Sequence, residues 1–523
     1  MSRVATSSRA LACLATAALA ACAPAAAKGP DAVALPPDLL FSVTLGPAST
    51  LRGLQAYVEA VKPGAGALIS EQIIRHQLAT TVDVPSLDGL DANAGTYLMF
   101  SMHGDALATT LTGKVRDAKA LAAAITPDHL TIQNGWAVIG NRVNVDSDAA
   151  YAFATFATQP TPKQPTATLY VPHLIARFQP QLSAGRKQVQ DGINQSSPQM
   201  AAMFTGYFDG FASIGDDTDK VILTLDAQPD LASFDTAFVP KPKSRLAAFV
   251  AAQHPTDYGI LGKLPASQPS VLAGGRMDLG PYHDGLITMM ASIYDPSGSP
   301  QLRNAMEQLR KVMTGEWAFS VELSAGAPMQ FTQLYGTTDS KLADKSLAGM
   351  LDLFKAGRTI EAPGVVTTIK SSPTTTAYDG VTLRPYDSVT DMSKATPAQK
   401  QAVALIGGDK PQHVIAAAFD KLTLVLLSKD SQADAQKAID VARGKSASYV
   451  PSTEMRAQLE ASRARKDSMA IIIDVAKIVS AFLPTANLGN QPVVMSIGAA
   501  DHSAHLRFML PAATLHGLAS LKL

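Results

Sequence analysis

The chain has few cysteines, little charge and no excess of charge of either sign. Its 523 residues include 2 cysteines, Cys13 and Cys22, and 44 basic against 44 acidic residues. So few thiols exclude a disulfide scaffold and cysteine-based zinc sites. Nucleic-acid-binding proteins carry a clustered basic face, so a balanced charge predicts no nucleic-acid partner.

The sequence also lacks long apolar runs and familiar catalytic motifs. Beyond residue 21 no stretch approaches the roughly 20 apolar residues that a membrane-spanning helix needs. The patterns S-x-x-K, G-x-S-x-G, H-E-x-x-H, Walker A and the dinucleotide-binding glycine fingerprint are missing. Catalytic groups need only meet in space, so an enzymatic activity stays open, but the sequence predicts no cofactor.

The N-terminal segment is the most informative part of the sequence. Arg3 and Arg9 supply positive charge, residues 10–18 are apolar, and residues 19–22 read Leu-Ala-Ala-Cys. The apolar segment is too short for a transmembrane helix and is typical of a secretory signal peptide. Together with Cys22 it resembles the signal of bacterial lipoproteins. The resemblance implies cleavage before this cysteine, diacylation of its thiol and acylation of its new amine.

Acylation of Cys22 would provide a durable membrane anchor, since each buried methylene contributes about 0.8 kcal/mol. We therefore expect a lipoprotein signal peptide at residues 1–21 and a flexible Ala/Pro-rich tether at residues 22–36. The residue directly after Cys22 is Ala23, and not the aspartate that resembles an inner-membrane retention signal. This favours the outer membrane as the location of the anchor. Cys13 would leave with the signal peptide, so the mature chain would have no disulfide. The alternative is a cleaved signal followed by an ordinary buried cysteine.

Similar blocks of sequence recur in the same order in two parts of the chain, which indicates an internal duplication. Leu-Gly-Pro separates a predicted strand from a helix at residues 45–47 and again at 279–281, and Asp117 and Asp339 each begin a helix after two strands. The other matched blocks are Gly95–Ser101 with Gly315–Ser320, Trp136–Ile139 with Leu422–Leu426, Leu169–Val171 with Ile471–Ile473, Phe211–Gly215 with Val494–Gly498, and Val221–Leu225 with Ala504–Phe508. Chance similarity between Ala-rich segments is the alternative. Each half could itself contain two strand–helix–hairpin–helix units.

These patterns predict an α+β protein with antiparallel sheets, helices packed on one face, and two pseudo-symmetric halves. We place the first half at residues 37–252, a linker at 253–270 and the second half at 271–523, with an insertion near 361–410. The second half is predicted to contain a strand at Val365–Lys370, a hairpin turn at Tyr378–Gly380, and helices at Pro397–Ile406 and Thr453–Lys466.

Asp501, His502 and His505 form the nearest approach to a cluster of metal ligands. Two imidazoles three residues apart, beside a carboxylate, could bind zinc and would allow a metal-dependent hydrolase. The same residues also fit a hairpin turn and an exposed position on the strand that follows. We favour the turn, so no metal is predicted.

Three further polar groups have both a chemical and a structural interpretation, and in each case we favour the structural one. Residues 216–219, Asp-Asp-Thr-Asp, could offer oxygens to calcium but fit a hairpin turn. The basic run at residues 463–466 could contact anionic headgroups, but such cations also stabilise a helix C-terminus. His173 and His283 each open a helix, and no nucleophile is indicated beside them.

Aromatic and methionine residues recur near strand starts and on one helix. A groove lined by Tyr97, Trp136, Trp317, Met289 and Met290 could accept an acyl chain or another apolar ligand. The same periodicity is typical of packed cores, which is the simpler interpretation.

Together, these features predict a lipoprotein of the bacterial cell envelope, anchored at the outer membrane, that acts as a non-enzymatic binding or scaffold protein. Its partners would be the membrane, through the lipid anchor, and an envelope protein or an apolar ligand. The alternatives are a carrier of lipid in a groove between the halves and a metal-dependent hydrolase.

Overall fold

The computed structural model describes residues 33–140, 146–157, 159–194, 198–294, 300–324, 329–362, 364–405, 408, 410–483 and 488–521. Cys22, the predicted signal peptide and the predicted tether as far as residue 32 lie outside the described residues. The chain divides into two compact units. The first unit contains the residues up to 179, 218–241 and 505–523, and the second contains 180–217 and 242–504. None of the described helices combines the length and apolar character needed to cross a membrane.

The first unit is built on a sheet whose strands pair in the order β4-β5-β3-β2-β1-β6-β7-β8-β20. Every pairing from β4 to β8 is antiparallel, which confirms the predicted α+β class with antiparallel pairing. The strands are β1 (Leu39–Leu45), β2 (Thr96–His103), β3 (Ala106–Lys114), β4 (Leu130–Gln133), β5 (Trp136–Gly140), β6 (Thr166–Tyr170), β7 (Thr218–Ala227), β8 (Leu231–Pro240) and the part of β20 (Ser503–Pro511) from His505 onwards.

Helices cover both faces of this sheet, which corrects the prediction that they pack on one face. Leu98 and Phe100 of β2 lie in a core with α2 and α3, whereas the alternating Tyr97 and Met99 lie in a second core with α4. A strand covered on both faces is apolar at successive positions, and β2 is such a strand. The helices of this unit are α1 (Ala48–Val61), α2 (Glu71–Thr81), α3 (Ala118–Ala124), α4 (Asp146–Thr155), the start of α5 (Val171–Asn194) and α15 (Ala512–Ser520).

The second unit contains a sheet with the strand order β19-β18-β9-β10-β11-β17-β16-β15-β13-β12, again with antiparallel neighbours. The short strand β14 pairs with the beginning of β15. These strands are β9 (Val271–Arg276), β10 (Met313–Glu322), β11 (Gln330–Thr337), β12 (Arg358–Ala362), β13 (Val365–Ser371), β14 (Thr376–Tyr378), β15 (Val381–Asp391), β16 (Gln412–Phe419), β17 (Leu422–Leu427), β18 (Asp467–Ile473) and β19 (Val493–Ala500).

The helices of the second unit pack on both faces of its sheet as well. Strand β16 is buried at every position from Val414 to Phe419, and both α10 and α12 contact it. The helices are the end of α5 from Pro180, α6 (Pro198–Asp217), α7 (Arg245–Ala252), α8 (His283–Tyr294), α9 (Pro300–Val312), α10 (Ser340–Asp352), α11 (Pro397–Leu405), α12 (Ser431–Ala442), α13 (Thr453–Ala464) and α14 (Val475–Phe482).

Local signals in the sequence predicted several elements correctly. The Asp117 and Asp339 side chains each accept two backbone N–H groups, at 3.0–3.1 Å, and so cap α3 and α10. Asp379 and Gly380, both with positive φ, form the predicted two-residue hairpin turn between β14 and β15. The predicted strand at Val365 and the helices at Pro397 and Thr453 are also confirmed.

Residues 211–215, which the sequence matches with residues 494–498 in β19, do not form the corresponding strand, because this segment lies inside α6. Short apolar runs fit strand and helix periodicity almost equally, and here the longer helical pattern prevails. The strand begins at Thr218, and β7 turns back into β8 at residues 228–230. Residues 216–219 therefore lie at a helix–strand junction and not in the predicted hairpin turn.

The segment 253–270, predicted to be a linker, contains a short 3-10 helix at Gly259–Lys263. Tyr258, Leu261 and Leu264 are buried, and Leu264 O accepts a hydrogen bond of 2.8 Å from Tyr449 N. These contacts attach the segment to the second unit.

Candidate functional site

Two of the five residues predicted to line an apolar groove lie in the first unit. Tyr97 is 1% exposed, and its ring stacks on that of Phe156 with the centroids 4.5 Å apart. The Trp136 ring lies 6.1 Å from Tyr97, at the edge of the same core. Their observed role is core packing against α4.

The other three groove candidates lie in the second unit. Trp317 is on β10, opposite Gly275 on one side and Tyr335 on the other. Met289 packs against α6, where Gly206 leaves room for it: a Cβ at residue 206 would stand 2.8 Å from Met289 Cγ. Met290 is half-buried on α8. The five candidates are thus distributed over two units.

Asp501 and His502 occupy the turn that follows β19, as the sequence predicts. Both are exposed and have left-handed backbone conformations, with φ of 48° and 60°. Across the part of the chain that the structure describes, no three His, Cys, Asp or Glu side chains are grouped so that they could hold a metal ion.

His505 belongs to a half-buried charge cluster on β8 and β20 of the first unit. Its Nδ1 lies 2.9 Å from Asp235 Oδ1, and Arg507 Nε donates to Asp235 Oδ2 at 3.1 Å. The side chains are 14%, 17% and 11% exposed for His505, Asp235 and Arg507. Burial of Asp235 acts to raise its pKa, but hydrogen bonds from His505 and the charge of Arg507 prevail and lower the pKa below its ordinary value of 3.8.

This cluster predicts a loss of stability in acid. Because the carboxyl pKa of Asp235 is lower in the folded than in the unfolded chain, its contribution is present above the unfolded pKa and disappears as the pH falls through the folded pKa. We expect Asp235→Asn to lower the free energy of unfolding by about 2 kcal/mol at neutral pH. The variant should also lose less stability than the unaltered chain as the pH falls below about 4. Acid unfolding followed by circular dichroism tests this. Asp88→Asn, at an exposed carboxylate of the same unit, is the control, and an unchanged acid transition in Asp235→Asn contradicts it.

The basic run at residues 463–466 is largely committed to internal contacts. Arg465 Nη2 lies 3.1 Å from Oδ2 of Asp467, whose side chain is fully buried. Arg463 Nη2 donates a hydrogen bond to the backbone carbonyl of Asp257. A guanidinium used in this way is less available to anionic headgroups. These contacts support the interpretation that the basic run has a structural role.

A polar cavity of about 210 Å³ lies in the second unit where β9 ends and α8 begins. The last residue of β9, the first residues of β10, the C-terminal turn of α9 and the start of α8 surround it. Its polar side chains are His254, Arg276, Asp278, His283, Arg310 and Thr314.

The cavity is shaped by the connection between β9 and α8, residues 277–282. Met277 N donates to Gly315 O at 3.0 Å, and the side-chain amide of Gln253 donates to Asp278 O at 2.6 Å. Asp278 Oδ1 accepts the Gly280 N–H at 2.8 Å, which closes a tight turn. Gly315 has φ +82°, and a Cβ there would lie 2.9 Å from Met277 O, so this close approach requires glycine.

Positive charge dominates the cavity. The guanidinium groups of Arg276 and Arg310 form no hydrogen bond or ion pair with any other described residue. Burial lowers the pKa of His283, and the nearby charge of Arg310 lowers it further against the opposing effect of Asp278 and Asp284. The two arginines and one aspartate of the lining have a summed formal charge of +1.

The sequence predicts that His283 opens a helix, but it does not predict this cavity. Arg276 and Arg310 are distant in sequence, and no spacing rule relates them. The sequence feature that could have indicated the cavity is Arg276, because this residue directly follows two glycines in β9 and precedes Met-Asp-Leu-Gly.

Comparison of the chain with protein-family models, with curated proteins and with solved structures finds no match.

Proposed function

We propose that this chain is a lipid-anchored protein of the bacterial envelope whose body acts as a non-enzymatic binding or scaffold protein. The observation that carries the proposal is Leu-Ala-Ala-Cys at residues 19–22, preceded by a short apolar segment and two arginines. Ala23 after the cysteine supports the outer membrane as its location. A tether from Cys22 to the first strand would leave the body free to meet a partner near the membrane.

We infer that the body arose by internal duplication. The order β7-β6-β1-β2-β3-β5-β4 in the first unit has a counterpart in the order β19-β18-β9-β10-β11-β17-β16 in the second. Each strand has the same rank in the chain as its counterpart, apart from the inserted strands β12 to β15. Seven strands in matching order are improbable for unrelated sheets. This correspondence pairs β7 with β19, so the alignment of Val221–Leu225 with Ala504–Phe508 is replaced.

Smaller units within each half are also supported. A strand, one or two helices, a β-hairpin and a helix occur in succession from β1, from β6, from β9 and from β18. The caps of α3 and α10 agree closely: Asp117 and Asp339 both have φ −138° and ψ 100°. We infer four related units, with the insertion and the long helices α5 and α6 as later departures.

The two alternative functions gain no comparable support. The groove candidates Tyr97 and Trp136 pack in the core of one unit, and Trp317 and Met289 pack in the other. Asp501 and His502 serve a turn, and His505 hydrogen-bonds to Asp235. We therefore propose neither an apolar-ligand carrier nor a metal-dependent hydrolase.

The anchor is tested by Cys22→Ser in a bacterial host. The unaltered chain should sediment with membranes, be released by detergent and not by salt, and yield an acylated N-terminal peptide by mass spectrometry. Cys22→Ser should lose the acyl mass and membrane retention, because no other thiol can take its place after cleavage.

Cys13→Ser is the matched control, because this cysteine lies in the segment that is removed. It should leave acylation and fractionation unchanged. Density-gradient separation of inner and outer membranes then tests the assignment to the outer membrane. A mature protein with an unmodified N-terminus would overturn the anchor.

A further inference from the structure

We propose that the cavity between β9, β10 and the start of α8 binds a phosphate group, either of a small phosphate ester or of a lipid headgroup. The inference rests on the proposed binding function of the body, for which it names a ligand class, and it does not require the anchor.

Two guanidinium groups without a counter-ion in the described part of the chain share the cavity. Arg276 and Arg310 line the same cavity from different elements, the end of β9 and the last turn of α9. Neither has a carboxylate partner among the described residues. In the same chain, Arg384, Arg443 and Arg465 are all held by aspartates. Two arginines that share a cavity without an anion repel each other, and a bound anion would relieve this repulsion.

Asp278, the one acidic residue among the described lining residues, does not neutralise the arginines. Asp278 Oδ1 accepts the N–H of Gly280 at 2.8 Å, and its backbone is held by Gln253, which is 8% exposed. The carboxylate thus has a structural task in the turn and forms no ion pair with either arginine. The lining keeps a net positive charge.

The number of hydrogen-bond donors around the cavity favours phosphate over carboxylate. A guanidinium presents a planar fork that can bind two oxygens, so one arginine already satisfies a carboxylate. In this cavity His283 and the Thr314 hydroxyl are present in addition to the two arginines. A group with three or four acceptor oxygens can use this number of donors. The cavity, about 210 Å³, is also several times the roughly 30 Å³ that one water occupies in the liquid, which leaves room for a small alcohol esterified to the phosphate.

The cavity is formed by a connection that is longer in the second unit than in the first. The connection after β9 spans residues 277–282, whereas the connection after β1 in the first unit consists of residues 46–47. The extra residues line the cavity, and Gln253 and Gly315 hold them in place. The site therefore lies where the second unit departs from the first.

The test is isothermal titration calorimetry on the purified full chain in detergent at low salt, with inorganic phosphate and glycerol 3-phosphate as probes. We expect saturable binding that weakens as sodium chloride is added. Arg276→Gln and Arg310→Gln should each weaken the affinity about tenfold, and the double variant should abolish binding. Both side chains are exposed and repel each other without an anion, so the melting temperature of each variant without ligand should not fall.

Matched controls are Arg456→Gln in the second unit and Arg52→Gln in the first. Neither guanidinium forms a hydrogen bond or ion pair with another described residue, and neither residue lines the cavity. Both variants should bind phosphate as the unaltered chain does. Binding of acetate as tightly as phosphate, the absence of saturable phosphate binding, or a double variant that still binds would each overturn the proposal.

Vesicles containing phosphatidylglycerol distinguish the source of the phosphate. If a headgroup is the ligand, the Cys22→Ser chain should bind these vesicles and glycerol 3-phosphate should displace it. If a free ester is the ligand, the Cys22→Ser chain should bind glycerol 3-phosphate and should not bind the vesicles. Cys22→Ser should keep its phosphate affinity in either case, so failure of the anchor and failure of the phosphate site are separate results.

Discussion

Arg465→Ala should lower the free energy of unfolding of the second unit by about 3 kcal/mol. The carboxylate of Asp467 has no exposed surface, and Arg465 Nη2 and Nε lie 3.1 and 3.2 Å from its Oδ2. Loss of the guanidinium leaves a buried negative charge without its cationic partner, which costs more than the pair itself contributes. Urea denaturation followed by circular dichroism measures the change.

Two further variants isolate this charge effect. Arg456→Ala removes an exposed arginine from α13, the helix that ends directly before Arg465, and should change stability by less than about 0.5 kcal/mol. The double variant Arg465→Ala/Asp467→Asn removes the buried charge as well, so it should be more stable than Arg465→Ala alone. Equal stability of Arg465→Ala and Arg456→Ala would contradict the assigned role of the ion pair.

Gly275→Ala should also cost about 3 kcal/mol, near the upper end for an overpacked core. Strand β9 lies between β10 and β18, and a Cβ at residue 275 would stand 2.3 Å from Ser468 O and 2.5 Å from Met469 Cα. These are backbone atoms that cannot rotate away. The methyl group can be accommodated only if β9 and β18 separate, with loss of ladder hydrogen bonds. Thermal unfolding should show the change directly.

Gly349→Ala is the matched control for this substitution. Gly349 lies within α10, and a Cβ there meets no atom within 4 Å. Alanine should therefore stabilise the helix by about 0.5–1 kcal/mol, because it restricts the unfolded chain more than glycine does. A Gly275→Ala chain as stable as Gly349→Ala would mean that β9 and β18 are less closely packed than the structure places them.

The elements predicted correctly are those whose cause is local. Asp117 and Asp339 cap the helices that begin beside them, because each carboxylate needs only the N–H groups two and three residues further on. Asp379-Gly380 forms a turn because both positions accept positive φ. Neighbours along the chain contain all the information that these features require.

The predictions that failed depend on what packs against a segment. Residues 211–215 are a short, mainly apolar run that fits a strand as well as a helix, but they lie within a longer helix, α6. The sequence of β2 is apolar at successive positions, and only the packing of α2 and α3 on one face and α4 on the other explains it. Apolar periodicity tells which side chains are buried and not which element buries them.

The α+β class, the helix caps and the hairpin turn of the insertion could all be predicted from the amino-acid order, which also carries the predicted lipidation signal as a linear segment. The contact of His505 with Asp235, and the cavity lined by Arg276, His283 and Arg310, became visible in the folded chain alone. The reason is physical: caps and turns use hydrogen bonds between near neighbours in the chain. A charged cavity forms where strand pairing and helix packing bring together residues that have no local relation.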